Sequence, residues 1–363
     1  MVMRGGTSKG LYFVADDLPD DPSARDDLLL RVMGSPDARQ IDGLGGAHPL
    51  TSKVAVVSRS AVEGVDVDYH FLQVVVDQAV VTDRQNCGNL LAGVAPFAYE
   101  RGLLDPPASA DDDATVRIRL VNTGGVATAT VPMRDGRPRY DGGAAISGVP
   151  GTAAPIRLDF EDVAGSSSGA LLPTGNLVDK VAGIEATLVD NGMPVVVMRA
   201  RDLGVTGYEP CVELEGNGPL RAVLEEVRLA AGRLMNLGDV TAMTVPKLTL
   251  VAAPQGEGSV CSRTFIPHRC HDAIGVLGAV SVATAALLPD GPAAEVAVLH
   301  RDGSRPGSVV VVEHPTGTFE AAVDLSFPES TGGIPVVERA GIIRTARKLM
   351  DGVVFPRGDG ARE

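Results

Sequence analysis

The chain of 363 residues has no tryptophan, few other aromatic residues and only four cysteines. Four cysteines are too few for a disulfide-stabilised scaffold of this length, and no C-x-x-C pair indicates a zinc ribbon. No run of about 18 apolar residues occurs, and no basic stretch followed by an apolar one opens the chain. We therefore expect reduced thiols, no membrane partner and a cytoplasmic protein.

Positive charge is also scarce. Lys and Arg number 32 against 46 Asp and Glu, which gives a formal net charge of -14. Nucleic acids and anionic membranes require a basic surface, which argues against both as partners. If the ligand is an anion, the cations that bind it are few and local.

The sequence is rich in glycine, with 43 residues, and in short valine-rich runs that are typical of strands. Such runs predict strands at 53–59 and 295–300, among others. Helices are predicted over 88–103, interrupted by Pro96, and over 219–235 and 271–288. The first and third consist of small apolar residues on nearly every face, as in a helix surrounded by other structure.

Each half of the chain combines several strands with one apolar helix, entered from a cysteine-bearing loop at 85–89 or 267–271. This pseudo-repeat predicts two related α+β domains, each with a sheet wrapped around a buried helix. The predicted domains are 1–150 and 151–340, and 341–363 is predicted to pack back on the first domain. Free N–H groups at both helix starts would attract carboxylates at the interface between the domains.

The opening segment MRGGTSKG resembles a phosphate-binding loop only superficially. A Walker A loop needs a glycine before the lysine and Ser or Thr after it, whereas Lys9 follows Ser8 and precedes Gly10. Two alternatives stay open, a glycine-rich nest that binds an oxyanion and a tight turn after the first strand.

Two other residues are candidates for proton transfer. Lys53 ends a second Thr-Ser-Lys, where a glycine-rich loop meets a strand; desolvation there would disfavour its charged form and make it a usable base. The alternative is a surface lysine. Cys87 precedes a predicted helix, whose dipole favours a thiolate, and the alternative is a buried, inert cysteine.

The cluster His268-Arg269-Cys270-His271 does not have a usual zinc spacing, and no second ligand pair lies nearby in sequence. A helix start with Arg and His donors for an anion is the favoured interpretation. We therefore predict no metal site.

Seven motifs carry a resemblance that covers nearly the whole chain. They are MRGGTSKG, DGLGGAHPLTSKVAVV, NCGN, VDNGMPVVV, FIPHRCHDAIGVLGAVSVATAALL, VEHPTG and RTARKLMDG. In this order they resemble the PrpF-type isomerases, relatives of diaminopimelate epimerase. The resemblance implies two similar diaminopimelate epimerase-like domains, each a curled sheet around a central helix, with the active site in the cleft between them.

The resemblance also implies an activity that needs no metal or organic cofactor. It is the keto-enol tautomerisation of the tricarboxylate 4-oxalomesaconate to 2-hydroxy-4-carboxymuconate, in gallate and protocatechuate breakdown. Removal of a carbon-bound proton gives a dienolate, which needs a neutral base and fixed donors at the developing oxyanion. In the family the TSK lysine and the NCGN cysteine are the usual acid and base, here Lys53 and Cys87.

Further residues are expected to bind the substrate carboxylates. These are Arg4, Thr7, Ser8, Ser52, Asn86, Gly88, Asn89, Asn191, Arg263, His268 and Cys270. The epimerase relatives use two cysteines, but the second position lacks their Cys-Gly pattern, so a two-cysteine racemase is not expected here.

Two alternatives to this function stay open. One is a 1,3-allylic isomerase of 4-oxalomesaconate or of a tricarboxylate like methylaconitate or methylitaconate. The other is a non-catalytic accessory factor for an aconitase or dehydratase. A small-molecule tricarboxylate is the expected partner, and a homodimer is an open alternative.

Overall fold

The computed structural model describes residues 1–83, 87–107, 109, 111–299, 308–331 and 334–358. These residues divide into two compact units. The first contains Met1–Asp159 and the described residues from Ile343 onwards, and the second is Phe160–Ile342. Among the helices of these ranges, none is long and apolar enough to cross a membrane.

The first unit contains short helices and many strands. Its strands up to Phe160 are β1 (Val2–Gly5), β2 (Ser8–Val14), β3 (Lys53–Arg59), β4 (Val67–Val74), β5 (Val81–Thr82), β6 (Ala114–Leu120), β7 (Val126–Val131), β8 (Met133–Arg134), β9 (Arg137–Pro138) and β10 (Ile156–Phe160). Its helices are α1 (Pro22–Met33), α2 (Gly88–Leu91) and α3 (Val94–Glu100).

The second unit has a similar composition. Its strands are β11 (Asp179–Val181), β12 (Ile184–Asp190), β13 (Pro194–Arg199), β14 (Lys247–Ala252), β15 (Val260–Phe265), β16 (Val309–His314), β17 (Gly317–Ser326) and β18 (Val336–Arg344), whose last two residues belong to the first unit. Its helices are α4 (Cys211–Gly216), α5 (Gly218–Leu234), α6 (Val276–Leu287) and α7 (Pro292–Val296). The last strand of the chain, β19 (Ala346–Met350), belongs to the first unit.

The two units share one strand pattern. In the first, β1, β2, β3, β4, β6 and β7 pair in this order, alternately antiparallel and parallel. In the second, β12 to β17 pair in order with the same alternation. An additional antiparallel strand flanks each set, with β19 on β1 and β11 on β12. The predicted α+β fold of two similar units is therefore confirmed.

Helices occupy equivalent connections in the two units. Parallel neighbours need a crossover, and α1 and α5 lie in the connections from β2 to β3 and from β13 to β14. The apolar helices α2, α3 and α6 lie in the later crossovers. In the second unit α6 packs against β12, β13, β16 and β17, and nine of its 12 residues are buried. A helix enclosed in this way requires small side chains on every face, as predicted.

Three details of the helix and strand predictions are wrong. The first apolar helix is interrupted between Leu91 and Val94, not at Pro96. Pro96 is the third residue of α3. In the first turn of a helix the backbone N–H has no acceptor within the helix, so a proline, which lacks this N–H, does not break a hydrogen bond there. The helix α6 begins at Val276, five residues later than predicted. The segment predicted as a strand at 295–300 begins inside α7, which Pro292 starts because its fixed φ suits a first helical turn.

A buried arginine on α5 holds the segment that leads to β14. Arg228 has no exposed surface. Its guanidinium donates to the backbone oxygens of Val240 and Met243 at 2.7 and 3.1 Å and binds the Glu225 carboxylate at 2.8 Å. The buried Val240 oxygen and two partly buried acceptors therefore depend on this one side chain.

Replacement of Arg228 by methionine is expected to lower the free energy of unfolding by about 3 kcal/mol, because it leaves these acceptors unpaired in the interior. Urea denaturation followed by circular dichroism measures the change. The matched control is Arg233→Met in the exposed last turn of the same helix, which should change stability by less than about 0.5 kcal/mol. Equal unfolding midpoints for the two variants would contradict this account.

Candidate active site

The helices α2 and α3 cover one face of the strands in the first unit. Tyr12 on β2 donates its hydroxyl to the Leu90 oxygen at 2.5 Å, and Tyr69 on β4 donates to the Cys87 oxygen at 3.3 Å. Side chains alternate along a strand, so Ser8 shares this face with Tyr12. The register pairs Gly10 of β2 with Lys53, and Lys53 with Gln73 of β4. We call this surface the helix-covered face.

The glycines of MRGGTSKG let the start of α2 approach the strands closely. Gly6 and Thr7 form the turn between β1 and β2, so the interpretation as a tight turn is correct. Gly6 has φ of +51°, and a Cβ there would lie 2.2 Å from Asn89 Oδ1. A Cβ on Gly10 would lie 2.6 Å from the Lys53 backbone oxygen and 3.1 Å from Leu90 Cδ1. A side chain at Gly6 would collide with the Asn89 side chain on α2, and one at Gly10 would collide with the backbone of β3.

Lys53 is the first residue of β3 and is largely buried, with 7% of its surface exposed. Its Nζ donates to Gln73 Oε1 at 2.9 Å and lies 5.0 Å from the centre of the Phe71 ring. No carboxylate in the described part of the chain lies within ion-pair distance of this ammonium. The structure therefore excludes the alternative of an exposed surface lysine.

Gln73 is a site residue that the sequence analysis missed. Its Nε2 donates to the backbone oxygens of Ser52 and Pro49 at 2.9 and 3.1 Å, in the loop before Lys53. Two backbone acceptors on one side of the amide determine its orientation, and the oxygen therefore faces Lys53. The sequence offered only a glutamine in a strand, and its role depends on a register that the sequence does not specify.

Cys87 is a free, half-buried thiol directly before α2. Its Sγ accepts a hydrogen bond from the Leu90 N–H at 3.5 Å and lies 3.9 Å from Ser8 Oγ. Ser8 lies two residues before Gly10, the register partner of Lys53, so the Cα atoms of Ser8 and Lys53 are about 8 Å apart. The structure thus gathers Lys53, Ser8 and Cys87 at one end of the helix-covered face.

A cation adjoins the start of α2. Arg344, at the end of β18, is buried and donates its Nε to Asn89 Oδ1 at 3.1 Å. Asn89 Oδ1 also accepts a hydrogen bond from the Thr7 N–H at 3.4 Å. Because the amide oxygen faces Thr7 and Arg344, the two N–H donors of Asn89 Nδ2 point away from these residues. Arg344 belongs to the motif RTARKLMDG, but its neighbour in space is 255 residues away in sequence, so the sequence analysis assigned it no role.

Arg4 does not join this group. It neighbours Gly5 on β1 and is paired with Lys9 and Arg347, which puts its side chain on the face opposite to Ser8. Its guanidinium donates to the backbone oxygens of Gly6 and Thr345 at 2.8 and 3.0 Å. Through Nη1, Arg4 therefore connects the first turn to the residue before β19, and its predicted carboxylate contact stays a prediction.

Ser52 also has a structural role. It is fully buried, and its hydroxyl donates to Gln40 Oε1 at 2.8 Å and lies 3.0 Å from the His48 oxygen. Gln40 Oε1 accepts from the Ala47 N–H as well. Ser52 thus holds the glycine-rich loop before Lys53 and does not face a ligand.

Of the two other residues predicted around Cys87, Gly88 is the first residue of α2, and Asn86 lies outside the described residues.

Two predicted contacts in the second unit are occupied by the protein itself. Arg263 on β15 is buried and donates to the backbone oxygens of Glu209, Tyr208 and Ser262 at 2.8 to 2.9 Å. Asn191 is fully buried, and its Nδ2 donates to Thr284 Oγ1 on α6 at 2.8 Å. Both side chains therefore stabilise the second unit, and their predicted substrate contacts stay a prediction.

The loop before α6 is not the helix start that was predicted. Cys270 is buried five residues before Gly275, the N-cap of α6, and its N–H donates to Glu215 Oε1 at 3.0 Å. Burial, reinforced by the neighbouring Cys211 thiol, raises the pKa of Cys270, which keeps the thiol protonated. His268 is exposed, with Nδ1 3.8 Å from Glu225 Oε2. Within the described ranges no three His, Cys, Asp or Glu side chains are grouped to hold a metal.

Known proteins resemble this chain over nearly its whole length. A family model described as PrpF protein matches residues 1–356. The (4E)-oxalomesaconate Delta-isomerase of Novosphingobium sp. (strain KA1) is 60% identical over 98% of this chain and 96% of its own. The 4-oxalomesaconate tautomerase of Pseudomonas putida is 54% identical over 98% of this chain and 94% of its own. A crystal structure of methylitaconate-delta-isomerase has a TM-score of 0.83 at 34% identity and covers 100% of this chain and 97% of that one.

Proposed function

Because this chain belongs to the PrpF family and is an isomerase, we propose that it converts the keto form of 4-oxalomesaconate to the enol by proton transfer. Two relatives that are more than half identical to it carry the name of this substrate. The observation that carries the proposal is the grouping of a buried lysine and a free thiol on the helix-covered face, with Ser8 in contact with the thiol.

Lys53 is the proposed base. Its neutral amine removes a proton from the carbon that flanks the unsaturated system, and the electrons of that C–H bond enter a dienolate. The negative charge spreads over the keto and carboxylate oxygens of the substrate. The burial of Lys53 supports this role, because it holds the amine on the helix-covered face out of bulk solvent.

Cys87 is the proposed acid. Its thiol protonates the far end of the conjugated system, which is the keto oxygen in tautomerisation. Solvent exchange then carries the proton from the Lys53 ammonium back to the Cys87 thiolate before the next turnover. Arg344 and the Nδ2 donors of Asn89 lie next to the start of α2, where they can stabilise the developing negative charge.

The second candidate function is a 1,3-allylic isomerisation, favoured by the relative that is 60% identical and is named a Delta-isomerase. It starts from the same dienolate, but the proton returns to a carbon and the C=C bond moves. The same residues serve both reactions, and only the atom that is protonated differs.

The test is to mix the purified protein with 4-oxalomesaconate in deuterium oxide and to record ultraviolet and proton NMR spectra. Tautomerisation is expected to interconvert keto and enol forms faster than buffer alone, with deuterium appearing only at the carbon next to the keto group. Deuterium at a second carbon together with a displaced C=C bond would assign the allylic reaction. An unchanged spectrum, with this substrate and with aconitate analogues, would contradict both isomerase functions and favour a non-catalytic accessory factor.

A further inference from the structure

The acceptor for the Lys53 ammonium is an uncharged amide, whereas buried lysines are usually paired with a carboxylate. Glutamate has the size and shape of glutamine, but its second oxygen would face the Ser52 and Pro49 backbone oxygens, to which the Gln73 amide donates. Gln73 therefore offers Lys53 one hydrogen bond of fixed direction and no negative charge. The difference matters for a lysine that has to release its proton in each catalytic cycle.

Among the described residues, the other groups on the helix-covered face do not supply that charge. The titratable and charged side chains there are Tyr12 on β2, Arg59 on β3, Tyr69 on β4, Cys87 before α2, Glu100 on α3, and Arg344 and Lys348 at the C-terminal strands. Glu100 is bound to Lys348 at 2.6 Å. Burial raises the pKa of Tyr12 and of Tyr69, so both phenols stay neutral. Arg344 is a cation and supplies no negative charge.

The orientation of the amide is fixed from the loop side. Its Nε2 bonds to the Ser52 and Pro49 oxygens tie the residue that precedes Lys53 to β4. The same contacts exclude the flipped amide, which would present N–H donors to the ammonium. The Phe71 ring also contacts the lysine head group, with its centre 5.0 Å from Nζ.

We propose that Gln73 is the positioning residue that aims Lys53 Nζ at the substrate, through one hydrogen bond of fixed direction to an uncharged acceptor. The inference rests on the proposed function of Lys53 as the base. The inference has a measurable consequence. A carboxylate introduced at position 73 would raise the pH at which the enzyme becomes active.

The test uses Gln73→Glu and Gln73→Met, with kcat/KM measured against pH. Gln73→Glu should move the rise in activity upward by about one to two pH units, because a carboxylate stabilises the ammonium. Activity at neutral pH then falls about 10- to 100-fold and recovers in alkali. Gln73→Met should move the rise to lower pH, because the ammonium loses its acceptor, and should lower kcat at every pH. A merely structural role would lower kcat without moving the profile.

A second measurement does not depend on turnover. Acetic anhydride labels neutral amines, so labelling of Lys53 against pH, read by mass spectrometry, reports its protonation directly, with the exposed Lys180 as internal reference. The Lys53 midpoint should rise in Gln73→Glu and fall in Gln73→Met, while Lys180 is unchanged. Coincident Lys53 midpoints in all three proteins would overturn the inference. Full activity of a Lys53→Met variant would instead overturn the proposed base, whatever Gln73 does.

Discussion

Replacement of Lys53 by methionine is expected to lower kcat for 4-oxalomesaconate by about 1,000-fold or more, with a folded protein retained. Methionine fills the volume of the lysine stem next to Phe71 but has no group that accepts a proton. A second expected consequence is that deuterium no longer enters the substrate from solvent, because exchange requires the same proton removal. Stopped-flow absorbance and proton NMR in deuterium oxide measure the two effects.

The matched control is Lys53→Arg, which keeps the positive charge but does not lose it at any working pH. If the lysine served only to bind a carboxylate, arginine would restore much of the activity. We expect Lys53→Arg to be nearly as inactive as Lys53→Met, with a KM closer to that of the unchanged protein. Near-normal turnover by the methionine variant would mean that another group removes the proton.

Much of the fold could be predicted from local patterns. The helix α6 was recognised because VLGAVSVATAAL places small residues on every face, which suits only an enclosed helix. The helix α1 was missed although its signals are present: Asp21 accepts from the Ala24 N–H as N-cap, Pro22 opens the helix, and Gly34 ends it at φ of +79°. The duplicated strand order, by contrast, depends on pairings between distant segments.

The candidate site could be predicted only in part from the sequence, because it also depends on pairings between distant segments. Lys53 and Cys87 stand in recognisable motifs, and the fold brings them to one face. Gln73 acquires its role from a register with β3 that no local pattern specifies. The roles of the arginines were the hardest to predict, because a guanidinium can donate to backbone oxygens as well as to a ligand. Arg4 and Arg263 bind backbone oxygens, whereas Arg344, which was not chosen, adjoins the start of α2.

Replacement of Cys87 by alanine is expected to lower kcat by about 100- to 10,000-fold, since the thiol is the proposed proton donor to the dienolate. The expected pattern differs from that of Lys53→Met in one respect. With Lys53 intact, proton removal and return at the first carbon continue, so deuterium still enters unconverted substrate while product formation stops. Proton NMR of recovered substrate distinguishes the two variants directly.

The matched control is Cys211→Ala, because Cys211 is also half-buried and also lies at the start of a short helix. We expect this variant to keep normal turnover, which separates loss of the Cys87 thiol from a general effect of removing a cysteine at a helix start. If Cys87→Ala abolishes both product formation and deuterium uptake, Cys87 and not Lys53 removes the carbon-bound proton, and the two roles are exchanged. If it abolishes neither, the proton that completes the reaction does not come from Cys87, and the proposed acid is wrong.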